Sequence, residues 1–323
     1  MNFTNKSILQ ITIITSMIML NLIINNKMFM WMTLEISTMS FISMMIMSKS
    51  YTPSIMYFIV SFVSSTMLML GLTLHPNINL NMMIMVSIMI KIAMFPFNYW
   101  FNLMSKSINY MNLSILMTLM KFIPMNIMHM TTEMNQLMML MIVASMIISP
   151  VMSINKYSTK LILSYSSIHQ TSMMMMIMYM NFYMFITYFT LYTIITLSLV
   201  YTFSKTSNKM KYEFIMNKKM KITLFITMIM YSYFPPMTTF IMKWSLIENM
   251  IMMNNQLKLI SLIVVMSSFV MIWSYLTFMN NNIYSFNNFN KMFMNKPKTK
   301  LQTPMIVMWI IIMSSMMYMY INF

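Results

Sequence analysis

The sequence predicts an all-α polytopic membrane protein of about eleven transmembrane helices, and three observations predict it. Charged residues are 7% of the 323 and hydrophobic residues 59%, against roughly 25% charged in soluble domains. So few charges cannot cover a water-facing surface. The mean hydropathy is +0.70. Apolar runs near twenty residues, the length of helix that crosses a bilayer, recur along the whole chain.

The spans run roughly 8–26, 28–47, 54–74, 82–103, 108–129, 137–155, 161–180, 182–203, 220–252, 257–279 and 304–322. The ninth is too long for one straight helix and holds Pro235-Pro236, so it reads as two half-helices meeting at a break. The polar stretches Ser204–Lys221 and Asn280–Thr303 are short enough to be loops, which leaves one transmembrane domain, 1–323. Met1 to Lys6 leads straight into the first span with no cleavable signal expected.

The lysines orient these spans. Fifteen of the twenty lie on the side that holds the N-terminus, among them Lys6, Lys49, Lys106, Lys156 and Lys160. The other side holds Lys27 and Lys258, while Lys91, Lys121 and Lys243 fall within spans. The positive-inside rule then puts the N-terminus and the lysine-rich loops inside and the C-terminus outside. Anionic lipid, with cardiolipin as the example, is an added partner for those loops.

Composition excludes several chemistries. Cysteine is absent, so disulfides, Cys-ligated zinc and iron–sulfur clusters are excluded on this chain. Aspartate and arginine are absent and Gly71 is the one glycine. Ser-His-Asp triads and glycine-rich phosphate loops go with them. The net charge of +16 belongs to topology and does not indicate nucleic acid. The 59 methionines are spread throughout, which reads as generic apolar filler from an AT-rich, animal-mitochondrial type of genome and not as a copper site. No metal is expected.

A charge at the bilayer centre costs about 3 kcal/mol on insertion scales, so Glu35, Lys91, Lys121 and Lys243 each need a reason. The bland reading has the lysines snorkelling to the interface. A lysine stem reaches about 6 Å, or four helical residues. Lys91 is too deep for that, and Lys121 is at the limit. Prolines accompany all three: Pro96, Pro124, and Pro235 with Pro236. Proline inside a helix frees the carbonyl four residues earlier, here those of Ile92 and Met120. Small hydrated pockets beside the lysines are expected. At an effective dielectric near 20, an ion pair at 4 Å is worth roughly 4 kcal/mol. A Glu–Lys pair of adjustable separation is therefore a proton switch, and lysines in series make a relay. The alternative is that the buried charges only dock neighbouring helices.

Five segments then carry a resemblance. They are Trp31-Met-Thr-Leu-Glu35-Ile, Lys91-Ile-Ala-Met-Phe-Pro96-Phe-Asn98-Tyr-Trp100, Lys121-Phe-Ile-Pro124, Lys160-Leu-Ile-Leu-Ser-Tyr-Ser166-Ser167-Ile, and Pro235-Pro236-Met-Thr-Thr239-Phe-Ile-Met-Lys243-Trp244. In order and spacing the set resembles the mitochondrially encoded subunit 2 family of NADH:ubiquinone oxidoreductase, respiratory complex I. The resemblance implies an antiporter-like fold in the mitochondrial inner membrane, N-terminus in the matrix and C-terminus in the intermembrane space. It implies proton translocation with Glu35 and Lys91 as the switching pair, Lys121 as the central relay and Lys243 at the last step. It also implies membrane-arm partners, including the sibling antiporter-like subunit 4 and subunit 4L. NAD, FMN, iron–sulfur clusters and ubiquinone belong to other subunits, and no cofactor is expected on this chain. The alternative is a free-standing cation/proton antiporter.

The sequence departs from the family pattern in places. Thr33 and Thr239 stand at glycine positions, and Asn98 stands for a histidine. His169-Gln170 stand where Asn-His is usual. That shift of one residue turns the imidazole about 100° around a helix. His169, Ser166 and Ser167 remain candidates for the relay or a water path. His75 and His129 read as interfacial. Glu133, Glu213 and Glu248 read as loop or boundary charges, with Glu248 also a candidate for coupling to a neighbour.

Overall fold

A computed structural model describes residues 5–73, 78–154, 156, 158–210, 227–228, 230–232, 238–253 and 255–287. Pro235, Pro236, His75, Glu213, the terminal span 304–322 and most of the loop lysines after Lys209 lie outside them.

The described chain is helical throughout. The elements are α1 (Asn5–Ile23), α2 (Lys27–Met47), α3 (Tyr51–Thr73), α4 (Ile78–Ile92), α5 (Tyr99–Ser107), α6 (Tyr110–Met117), α7 (Leu119–Thr131), α8 (Gln136–Ser153), α9 (Thr159–Met180), α10 (Phe182–Met210), α11 (Thr238–Met253) and α12 (Asn255–Asn287). They fall into two compact units. One covers the described residues of Met1–Ile148 and Leu163–Asn181, the other those of Ser149–Ile162 and Phe182–Phe323.

In the first unit α1, α2, α3 and α4 pack in succession, and α7 runs against α1, α2 and α4. The helices are inside-out relative to a soluble protein. Along α3 the buried face is Ser54, Tyr57, Ser61, Ser64, Leu68 and Gly71, while Ile55, Phe58, Ile59, Phe62 and Val63 are exposed. Lipid is as apolar as leucine, so small and polar residues turn inward, where backbones approach and hydroxyls find partners. Each buried serine hydroxyl on this face donates to a carbonyl of its own helix, as Ser54 does to Tyr51 at 2.6 Å. Gly71 marks the tightest approach, because a Cβ there would lie 2.6 Å from Cγ1 of Ile84 on α4.

Two predicted spans are interrupted. The fourth breaks after Ile92 and resumes at Tyr99. Ala93 takes a left-handed φ of 63°, and the amides of Ala93 and Met94 bond to the carbonyls of Ile90 and Met89 at 3.2 and 3.1 Å. This is a Schellman cap, a motif that usually places glycine at the left-handed position. Pro96 follows in the non-helical segment, where its missing N–H breaks nothing. Lys49, with φ 59°, ends α2 in the same way, its amide on Ile46 and that of Ser50 on Met45. A chain with one glycine uses Ala and Lys in a conformation that costs them about 1–2 kcal/mol each.

The fifth span is interrupted at Thr118 (φ −114°, ψ −87°), between α6 and α7. Pro124, expected as the break, lies inside α7. The helix already gives way six residues earlier, so the proline is absorbed within a continuous run.

In the second unit α10 packs on α11, and α11 on α12. Residues 230–231 are helical ahead of α11. The Thr239 hydroxyl donates to the Met230 carbonyl at 3.0 Å. Buried rings Tyr192, Tyr231 and Tyr275 contact in succession, the first pair tilted at 6.4 Å between centroids and the second edge-to-face at 5.8 Å.

Candidate functional site

The break in the fourth span defines the site. Because α4 stops at Ile92, Lys91 sits in its last turn, at the negative end of the helix dipole. It is therefore a helix-terminal cation placed in the middle of a membrane span. Trp100, just past the break, donates its indole N–H to the Ile90 carbonyl at 3.1 Å, a second bond to the oxygen that already accepts from the Ala93 amide. Glu35 on α2 supplies the counter-charge: Lys91 Nζ lies 3.3 Å from Glu35 Oε1, with side chains 5% and 22% exposed. Two residues 56 apart, each singled out as a misplaced charge, are in hydrogen-bond contact.

A small cavity of about 10 Å³, the size that admits one water, adjoins Lys91. Its lining includes Ser37 and Thr38 from α2, Tyr57, Ser61 and Ser64 from α3, and Met120 and Pro124 from α7. The hydroxyls of Ser37, Thr38, Ser61 and Ser64 donate to their own helices at 2.7, 2.8, 2.9 and 2.8 Å. Their oxygens are thus left to act as acceptors. An acceptor-rich pocket beside an ammonium suits a water that takes or gives a proton. Met120 is one of the two residues whose carbonyl was expected to be freed, in its case by Pro124.

Lys121 has a different setting. It is buried on α7, with Nζ 3.4 Å from Ser167 Oγ and 4.5 Å from the centroid of Phe101. Ser167 donates its own proton to the Ser164 carbonyl at 2.8 Å, which leaves its oxygen to accept from the ammonium. Among the described residues no carboxylate is within ion-pair distance of Lys121. Phe101 adds a cation–π contact. Asn102, next to it on α5, accepts from the Ser164 hydroxyl at 2.8 Å.

Around Lys121, α9 presents a run of buried polar side chains: Ser164, Ser166, Ser167, His169, Gln170, Thr171 and Ser172. Ser166, Ser167 and His169 are therefore in the interior, and Ser167 accepts from Lys121. Lys243 is buried on α11 in the second unit. His129 closes α7, with its ring centroid 6.1 Å from that of Tyr179. Glu133 and Glu248 are exposed.

The hydroxyls of α3 and the anchoring roles of Phe101 and Trp100 were not anticipated. The signal for the first was available: Ser54, Ser61 and Ser64 recur at helical spacing inside an apolar span. Nothing in sequence marks Phe101 among 23 phenylalanines. Among the described residues no group of three His, Cys, Asp or Glu is placed to hold a metal.

Residues 73–271 match the family model described as NADH:quinone oxidoreductase/Mrp antiporter, TM. "NADH-ubiquinone oxidoreductase chain 2" of Rhipicephalus sanguineus is 30% identical over 306 residues, covering 89% of this chain and 96% of the relative. The protein of that name from Apis mellifera ligustica is 25% identical over 303 residues, covering 90% of each. Among solved structures, a chain of the Mrp complex from Dietzia sp. DQ12-45-1b superposes with a TM-score of 0.70 at 14% identity. That match takes in 90% of this chain and 61% of the other's length, and it speaks for the fold. The chain therefore belongs to the NADH-ubiquinone oxidoreductase chain 2 family, within the NADH:quinone oxidoreductase and Mrp antiporter membrane proteins.

Proposed function

We propose that this chain is a proton-translocating membrane-arm subunit of respiratory complex I, acting through Glu35, Lys91, Lys121 and Lys243. The observation that carries the reading is the Lys91–Glu35 contact of 3.3 Å at a mid-span helix end beside a hydroxyl-lined cavity. In each step an ammonium releases a proton to a hydrogen-bonded acceptor and becomes an amine, and no other covalent bond changes. The carboxylate of Glu35 stabilises the charged form of Lys91, so separating the two promotes release. Lys121, held by a hydroxyl and a ring, is the central carrier. The family resemblance assigns Lys243 the last step.

The same reading supplies the setting. Residues 1–323 act as one antiporter-like domain in the mitochondrial inner membrane, with the N-terminus and lysine-rich loops in the matrix and the C-terminus in the intermembrane space. The antiporter-like subunit 4 and subunit 4L are its neighbours, and cardiolipin is a lipid contact of the loops. NADH oxidation and ubiquinone reduction occur on other subunits.

The test is Lys91→Met in the assembled complex, reading protons moved per NADH oxidised. The expected result is normal assembly with reduced proton movement. Unchanged movement in an intact complex removes Lys91 from the mechanism. A free-standing antiporter would instead migrate alone on purification, without the other membrane subunits.

A further inference from the structure

Three buried side chains outside this site join the helices that carry it. Asn126 on α7 donates through Nδ2 to Asn21 Oδ1 at 2.7 Å and to the Asn21 carbonyl at 3.2 Å. Asn21, near the end of α1, donates through Nδ2 to Thr33 Oγ1 at 3.0 Å. Thr33 on α2 donates to the Met30 carbonyl at 2.7 Å. Asn21 and Asn126 are fully buried and Thr33 is 1% exposed. Each side chain donates to the next in line, from Asn126 to Asn21 to Thr33 to the Met30 carbonyl, so the bridge has one direction.

The placement of this bridge relates it to the relay. Thr33 stands two residues before Glu35 on the same helix. Asn126 stands five residues after Lys121 and two after Pro124, just past the point where α7 lacks an internal hydrogen bond. Stability alone does not account for Asn126. Its Oδ1 is buried and has no partner among the described residues, a liability that an isosteric leucine would avoid. Asn21 accepts from one side and donates to the other, which makes it a two-sided connector. The Thr33 hydroxyl supplies the acceptor for the Asn21 amide, which a glycine there would remove.

We infer that Asn126, Asn21 and Thr33 are positioning residues that lock the Glu35 helix to the Lys121 helix, so that displacement at one acid–base group is carried to the next. The inference rests on the relay reading above. It adds that the two lysine sites are coupled mechanically through α1.

The test compares Thr33→Val, Thr33→Ser, Asn126→Leu and the Thr33→Val/Asn126→Leu pair, with Lys91→Met as a control, in the assembled complex. The readout is protons moved per NADH oxidised. The bridge predicts that Thr33→Val and Asn126→Leu each assemble and each lower the ratio, by no more than Lys91→Met does. Thr33→Ser keeps the wild-type ratio, and the pair is no worse than either single, as expected for one network. A wild-type ratio in both assembled singles overturns the bridge, as does a Thr33→Ser variant that behaves like Thr33→Val. If Asn126→Leu fails to assemble, the two Thr33 variants decide by the same criteria. Lys91→Met separates the levels. If it reduces proton movement while the Thr33 and Asn126 variants do not, only the bridge falls. If Lys91→Met leaves movement unchanged, the relay reading falls and takes the bridge with it.

Discussion

Lys91 and Lys121 are both lysines buried beside interruptions of a membrane helix, yet their surroundings differ in kind. Lys91 ends a helix and contacts a carboxylate at 3.3 Å. Lys121 lies in the first turn of α7, where the dipole opposes a cation, and is held by one serine oxygen and one ring. The first charge is compensated in place, while the second is only solvated by polarisable neighbours. On the proposed relay, the difference gives them separate tasks. There a compensated lysine is a gate whose state follows the position of its acid, and a solvated lysine is a carrier that exists in either protonation state with little rearrangement.

The contrast can be broken by stability measurements. Lys91→Met leaves Glu35 without its partner in a mostly buried place. Removing one member of a buried pair costs about 3–5 kcal/mol, and the 22% exposure of Glu35 points to the lower end. Thermal unfolding of the purified complex should show the loss, and adding Glu35→Gln should recover most of it. Lys121→Met strands no acid, so its stability should change by about 1 kcal/mol or less, since apolar replacement of a buried charge is often neutral. Equal losses for the two lysines would erase the distinction.

A further variant sharpens the packing side of the comparison. Gly71→Ala places a methyl 2.6 Å from Ile84 Cγ1 and should cost about 1–3 kcal/mol by overpacking. Because α3 and α4 then part, the cavity beside Lys91 should be disturbed while the Ser167 contact of Lys121 is spared. Ile84→Ala on top should restore assembly measured on native gels. Smaller still is Trp100→Phe, which removes the 3.1 Å bond to Ile90, worth about 1 kcal/mol. It should loosen the end of α4, detectable as faster amide exchange at Ala93 and Met94 with no change at Lys121.

Much of this was legible before any coordinates. Charge is so scarce that hydropathy places the spans and Glu35 and Lys91 identify themselves. Pro96 marks the break that sets Lys91 at a helix end, because proline is common just past a helix C-terminus, which it cannot continue. The Thr118 interruption was not legible, since no residue type there forces it and tertiary packing decides. The partners of Lys121 were hidden for another reason. Ser167 is 46 positions away, in a helix whose serines look alike until its depth and rotation are known. Asn21 and Asn126, 105 positions apart, are two among many asparagines, and only a fold brings them together.

The most direct test of the central claim is proton movement by the assembled complex carrying Lys121→Met, measured in sealed vesicles against NADH oxidised. The account predicts a complex of near-wild-type stability that moves fewer protons per NADH. A stable complex with the wild-type ratio would contradict it.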